Sequence, residues 1–270
     1  IPGKGKLLNM GEFFRPTPGN ILTAIILAVG LVITVIRFTM GIGSVTNLSN
    51  TQPWGLWIGF DLLCGVALAA GGYFTTVACY IMGMKQFHSA VRPAITTAFL
   101  GYLFVVIALL YDLGHPLRLP FMFFFPGTTS VLFEVGLCVA TYVTVLFVEF
   151  SVAPMEWLAQ KYTFLLKWRK LVVQSTIVLT IFGVTLYTLH QSSLGALYLI
   201  APEKLHPLWY SPFMPMFFFV SSMAAGASMV IFEGIFAHKG LHHYMDETHL
   251  REGDNVVLSF ARAASFILFA

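Results

Sequence analysis

Residues Ile95 to Pro120 read ITTAFLGYLFVVIALLYDLGHPLRLP. As far as Leu113 the run is long and apolar enough to cross a bilayer, whose hydrocarbon core takes about 20 helical residues. An acid, an imidazole and a guanidinium then arrive together at Asp112, His115 and Arg118. Lipid offers no partner to backbone polar groups, so the apolar run must be a helix. The stretch therefore fixes both the class of the protein and the level at which its polar chemistry begins.

The pattern recurs on either side. Apolar runs over residues 21–40, 56–82, 95–113, 130–150, 172–190 and 213–237 each read as a span, and a seventh begins near Val256 and is cut short at the last residue. Stretches rich in Pro, Gly and Asn separate several of them, as helix stops do. The chain is 57% hydrophobic and 10% charged over 270 residues, with a mean hydropathy of +0.81. That composition excludes a soluble domain. The expectation is an all-α, polytopic membrane helix bundle, one integral membrane domain over residues 1–270 with at least seven spans. Because position 1 is Ile and position 270 falls inside an apolar run, further helices are expected beyond it. A formal net charge of +3 then bears on topology rather than on nucleic acid. Cys64, Cys79 and Cys138 all lie in apolar runs without Cys-x-x-Cys spacing, so they read as buried thiols.

Alternating sides groups Lys4, Lys6, Arg15, Lys85, Arg92, Lys161, Lys167, Arg169, Lys170, Lys239 and Arg251 against Arg37, Arg118 and Lys204. The excess of positive charge puts the N-terminus in the cytoplasm. The loops after the first, third and fifth spans then face the exterior, with Trp54, Trp57, Trp209 and Tyr210 as an interfacial belt. A shift of 155 positions lays Trp54 on Trp209 and Ala69-Ala70-Gly71 on Ala224-Ala225-Gly226. This parallel repeat suggests two four-helix bundles in the full chain. Recurrence of small residues at helix contacts is the alternative source of the match.

Ionisable groups inside spans are costly and point to function. Asp61, Asp112 and Glu134 lie near the outer ends of the second, third and fourth spans, and His190 and Gln191 close the fifth on the same side. His115 and Arg118 follow Asp112 at once. Four helices thus bring polar groups to one leaflet, although neither hydropathy nor the charge rule requires it. Glu149 and Glu233 lie near inner helix ends and read as interfacial carboxylates. The plain alternative for Asp112 to Arg118 is a helix stop, with Gly114 as a C-cap and Asp112 paired to Arg118.

A pocket of acids, imidazoles and an arginine at one leaflet suits a quinone, whose carbonyls accept hydrogen bonds and whose two-electron chemistry exchanges two protons. His115, His190, Arg118 and Tyr111 can donate, and Trp57 is close enough to line the pocket and report its occupancy. Asp112 and His115 would grip and protonate the headgroup, Arg118 would stabilise the negative charge of its reduced form, and Asp61 and Glu134 would relay protons. The chain has no cluster motif, no Cys-x-x-Cys-His and no mid-membrane His pair, so neither haem nor an iron–sulfur cluster is expected in it. A partner subunit on the outer face would carry the electrons.

Four segments also resemble the NrfD-like family of membrane subunits of polysulfide reductase and related complexes, closest to the branch of the HybB-type hydrogenase subunit and the HmcC-type subunit. They are Pro53 to Asp61, PWGLWIGFD; Gly65 to Gly72, GVALAAGG; Asp112 to Pro116, DLGHP; and His190 to Gly195, HQSSLG. The resemblance implies a cofactor-free quinone-binding subunit of eight to ten helices in a bacterial cytoplasmic membrane, with its quinone site near the periplasmic face. It implies docking of a periplasmic ferredoxin-like iron–sulfur subunit that links it to a hydrogenase, a multihaem cytochrome or a molybdopterin enzyme. Within the matching segments it implies site roles for Asp61, Asp112, His115 and His190.

The reading is a subunit that oxidises or reduces menaquinone or another quinone at an outer-leaflet pocket. One rival is a haem b anchor with His115 and His190 as axial ligands. A transporter would put its polar site at the midplane and carry broken helices, and a bare scaffold gives no reason for intramembrane acids.

Overall fold

The computed structural model describes residues 16–51, 55, 58–84, 88–159, 162, 164–200 and 202–241. Six helices among them are long and apolar enough to cross a membrane, so the protein is a multi-pass membrane helix bundle. We label the helices α1 (Pro18–Met40), α2 (Gly59–Ile81), α3 (His88–Asp112), α4 (Val131–Leu158), α5 (Phe164–Gln174), α6 (Thr176–Ile200) and α7 (Met214–Leu241). The expected seventh span begins outside the described residues.

The closed bundle is drawn from α2, α3, α4 and α6, the second to fifth spans, and α7 packs on its outside against α2 and α6. A continuous core joins Val66 and Ala70 of α2, Ala98 and Val105 of α3, Val139 and Leu146 of α4, and Leu186 and Leu194 of α6. The first span stands apart. Most of α1 is exposed within the chain, with Arg37 its one buried residue, and exposed apolar surface of this kind is what lipid covers.

Several boundaries differ from the hydropathy reading. α3 starts at His88 rather than 95 and takes Pro93 inside its second turn, at the expense of one intrahelical hydrogen bond. α4 runs on through Pro154 to Leu158 rather than stopping at 150. The expected fifth span, 172–190, divides into α5 and α6. α5 carries Lys167, Arg169 and Lys170, the composition of an interfacial helix. α6 does not stop at His190-Gln191 but continues for ten more residues to Ile200. Its polar residues fall on the same stripe as Thr180, Gly183 and Tyr187 and are buried with it, so the stretch that reads as a helix end is an inward face.

α2 is the irregular element. π-helical turns cover Gly59–Gly65 and Val77–Ile81, with short α-helical pieces between them. Its middle crosses α7 at van der Waals distance: a Cβ added to Gly71 would stand 2.5 Å from the Gly226 carbonyl oxygen. These two glycines are the pair matched by the 155-residue shift.

Candidate functional site

The C-terminus of α3 is organised by an arginine from another helix. Arg37, in the last turn of α1, donates through Nε to the Tyr111 carbonyl at 2.6 Å and through Nη2 to the Leu113 carbonyl. Tyr111 lies in the last turn of α3 and Leu113 directly follows the helix, where carbonyls have no partner within the helix, and the guanidinium also answers the negative end of the helix dipole. Gly114 does not cap α3 with a left-handed turn, since the positive-φ glycines among the described residues are Gly41 and Gly83. Tyr111 completes the junction: its hydroxyl lies 3.2 Å from Thr34 Oγ1 and its ring meets Phe38 edge to face at 5.2 Å. The phenol thus ties α1 to the bundle.

Asp112 lies within electrostatic reach of Arg37 and of Asp61. Asp61 sits in the π-helical turn of α2, and its Oδ2 is buried without a hydrogen-bond partner. π-helical turns recur at functional sites because the wider turn re-aims side chains. Glu134, in the first turn of α4, accepts a hydrogen bond from Ser193 of α6 at 3.0 Å. His115 and Arg118 follow α3 on an exposed 3-10 turn, Pro116–Phe123, with His115 as its N-cap. Asp61, Asp112, His115, Arg118 and Glu134 therefore gather at one end of the bundle. Trp57 lies outside the described residues.

His190 is not at that end. Ten residues separate it from the last residue of α6, about 15 Å of helix, and it is fully buried. Its Nδ1 lies 2.7 Å from the Leu186 carbonyl and its Nε2 2.6 Å from Tyr102 Oη. A carbonyl only accepts, so Nδ1 carries the hydrogen and Nε2 accepts from the phenol. Both nitrogens of His190 are thus engaged within the protein, whereas His115 lies on an exposed turn at the bundle end.

Tyr102, Tyr142 and Tyr187 pack around His190, and Tyr73 joins them through Tyr187, so that each helix of the closed bundle contributes one phenol. Tyr187 packs on Tyr73 at 4.0 Å between ring centroids, and Tyr102 on Tyr142 at 4.8 Å. Their rings flank the imidazole at 5.2 to 5.6 Å in the cases of Tyr102, Tyr142 and Tyr187. Gln191 is buried beside them. The sequence reading missed this cluster because it weighed acids, bases and histidines inside spans, and tyrosine passes as an aromatic core residue.

A family model for NrfD, polysulphide reductase, matches residues 44–270. The chain belongs to the NrfD family. Among curated relatives, a protein of Nitratidesulfovibrio vulgaris (strain Hildenborough) is 71% identical, covering 93% of this chain and 64% of its own length. The probable Ni/Fe-hydrogenase 2 b-type cytochrome subunit of Escherichia coli K12 is 36% identical, over 84% of this chain and 59% of that one. The integral membrane subunit of menaquinone reductase from the same Nitratidesulfovibrio is 33% identical, over 58% of this chain and 38% of that one. The NrfD chain described here spans less than two thirds of the length of each of these relatives. No solved structure matches it. The expected resemblance is thus correct at the level of the family.

Proposed function

We propose that this chain is the quinone-binding membrane subunit of a bacterial respiratory complex, exchanging electrons between menaquinone and a partner protein at the Asp112 end of the bundle. The observation that carries the reading is the buried, unpartnered oxygen of Asp61, within electrostatic reach of Asp112 from a second helix. Two carboxylates at one depth inside a membrane are expensive to keep, and a reaction that releases or consumes protons gives a reason to keep them. The relative named as a menaquinone reductase subunit supports the same choice of substrate.

Oxidation of a quinol releases two protons and two electrons. The free Asp61 oxygen accepts one proton, and Asp112 or Glu134 takes the other. Ser193 holds the Glu134 carboxylate in one orientation. His115 and Arg118 reach the same end from the turn after α3 and donate hydrogen bonds to the headgroup oxygens. The electrons leave to a periplasmic ferredoxin-like iron–sulfur subunit, itself joined to a hydrogenase, multihaem cytochrome or molybdopterin enzyme, and the Asp112 end faces the periplasm of the inner membrane. Run in reverse, the same groups supply protons to a quinone.

The test is titration of the full-length protein, in its complex, with a soluble menaquinol analogue while tryptophan fluorescence is followed. Saturable quenching and quinone-linked turnover are expected in the wild type, and Asp112→Asn loses turnover while the complex still assembles. Turnover at the wild-type rate in Asp112→Asn would remove the site from this end of the bundle.

A further inference from the structure

The quinone reading leaves α5 without a role, and this helix lies at the opposite end of the bundle from Asp112. It leads directly into α6, whose 25 residues rise about 37 Å, more than the thickness of a hydrocarbon core of about 30 Å. α4, with 28 residues, is longer still, and α5 packs against it. Two spans thus already cross the core without α5. Three cations on its 11 residues would be costly inside hydrocarbon, so α5 stands at the level of the lipid headgroups.

Helical spacing sorts its side chains into four stripes. Leu165, Arg169 and Val172 face the bundle: Val172 is buried and the other two are half-buried. Lys167 and Lys170 lie on the opposite face, three positions apart and both exposed, close enough for their ammonium groups to meet one phosphate. Each flank between these faces is apolar and exposed, with Phe164, Trp168 and Leu171 on one side and Leu166 and Val173 on the other. No carboxylate among the described residues pairs with either lysine. The sequence has no Asp or Glu between Glu156 and Glu203.

The order of these stripes selects the occupant. An acidic soluble protein would answer the lysines but leave the apolar flanks beside them facing water. A phospholipid answers both, with its phosphate on the ammonium groups and its glycerol and upper acyl chain along the flank. The indole of Trp168 has an apolar body for the chain and an N–H that donates to an ester carbonyl, as tryptophans at this depth do.

We propose that Lys167, Lys170 and Trp168 of α5 form a binding site for the headgroup of an anionic phospholipid, in the leaflet opposite the Asp112 end. Each lysine at an anionic membrane surface is worth about a fivefold gain in affinity. The site does not depend on the quinone reading.

The test uses the full-length protein in its complex, in phosphatidylcholine proteoliposomes doped with a photoactivatable phosphatidylglycerol, and locates the crosslinked peptide by mass spectrometry. Labelling of α5 is expected to exceed that by photoactivatable phosphatidylcholine about fivefold or more. Unlabelled phosphatidylglycerol should displace the label, and soluble glycerol phosphate should not. K167Q/K170Q is expected to lose the excess and K167R/K170R to keep it, both with wild-type thermal stability, because the two lysines are exposed on the face turned away from the bundle. Equal labelling by the two lipids, displacement by glycerol phosphate, or an excess that survives in K167Q/K170Q would overturn the proposal. So would the absence of lipid label on α5, the result expected if a protein covers this face. Quinone takes no part in the labelling, so this outcome and that of the quinol titration are read separately.

Discussion

Gly71 of α2 and Gly226 of α7 touch backbone to backbone, so that a methyl group on Gly71 would press within 2.5 Å of the Gly226 carbonyl oxygen and 2.7 Å of a Val230 methyl. The carbonyl cannot retreat without unwinding its own helix. Overpacking of this kind costs about 1–3 kcal/mol, and the clash here is with backbone, which puts Gly71→Ala at the upper end. Lowered thermal stability in detergent, with a larger loss for Gly71→Val, is the expected result. A neutral Gly71→Ala would mean that α2 and α7 are further apart. Gly30→Ala is the control, because nothing lies within 4 Å of its added Cβ.

Arg37 is the main polar tie between α1 and the bundle, and it works through carbonyls 74 and 76 positions away in the chain. Arg37→Met keeps most of the side-chain volume but leaves both carbonyls without their donor. Hydrogen bonds from charged groups are worth about 1.5–3 kcal/mol, so a destabilisation of that order is expected, visible as faster proteolysis of α1. Arg37→Lys should recover only part of it, since one ammonium cannot reproduce the two-nitrogen fork. Equal stability of Arg37→Met and wild type would show that α1 is held by other contacts.

The Tyr102–His190 hydrogen bond joins α3 to α6 in the middle of the bundle at 2.6 Å. His190→Phe removes the acceptor and strands a buried hydroxyl, which costs about 1–3 kcal/mol. Tyr102→Phe removes the donor and leaves Nε2 bare. In the double variant neither group remains, so the losses should not add. A coupling energy of about 1 kcal/mol or more in the double-mutant cycle is expected, read from chemical or thermal unfolding. Strict additivity would show that the two side chains do not interact.

How much of this was legible in the sequence depends on the range of the interaction. Spans could be read from hydropathy because lipid imposes the same demand on every helix, and the common level of Asp61, Asp112 and Glu134 follows from counting residues along those spans. The glycines of the Gly71–Gly226 crossing stood out in the sequence as small residues at matched positions. His190 was misplaced because His-Gln-Ser-Ser resembles a helix end in one dimension, whereas burial on one face of α6 satisfies it in three. Arg37 counted only as a charge on the outer side, since its carbonyl acceptors belong to a distant segment. The four tyrosines lie scattered over residues 73 to 187, and nothing local to any of them says that their rings pack together.

Ser193 separates a positioning role from a merely structural one at the Asp112 end. Its hydroxyl donates to Glu134 at 3.0 Å, and both residues lie on helices that pack together. Removing the hydroxyl in Ser193→Ala deletes one hydrogen bond to a carboxylate and little volume, so the fold should be kept. If Glu134 serves proton exchange with quinone, losing about 1–1.5 kcal/mol of positioning should lower quinol-oxidation kcat/KM roughly fivefold to tenfold. Ser193→Thr, which retains the hydroxyl, should recover most of the rate. Glu134→Gln should lose more than Ser193→Ala, and combining it with Ser193→Ala should add little, because the two act through one carboxylate. Full activity in Ser193→Ala alongside a strong loss in Glu134→Gln would mean that Glu134 is oriented by something other than Ser193. Full activity in both would take Glu134 out of the proton chemistry.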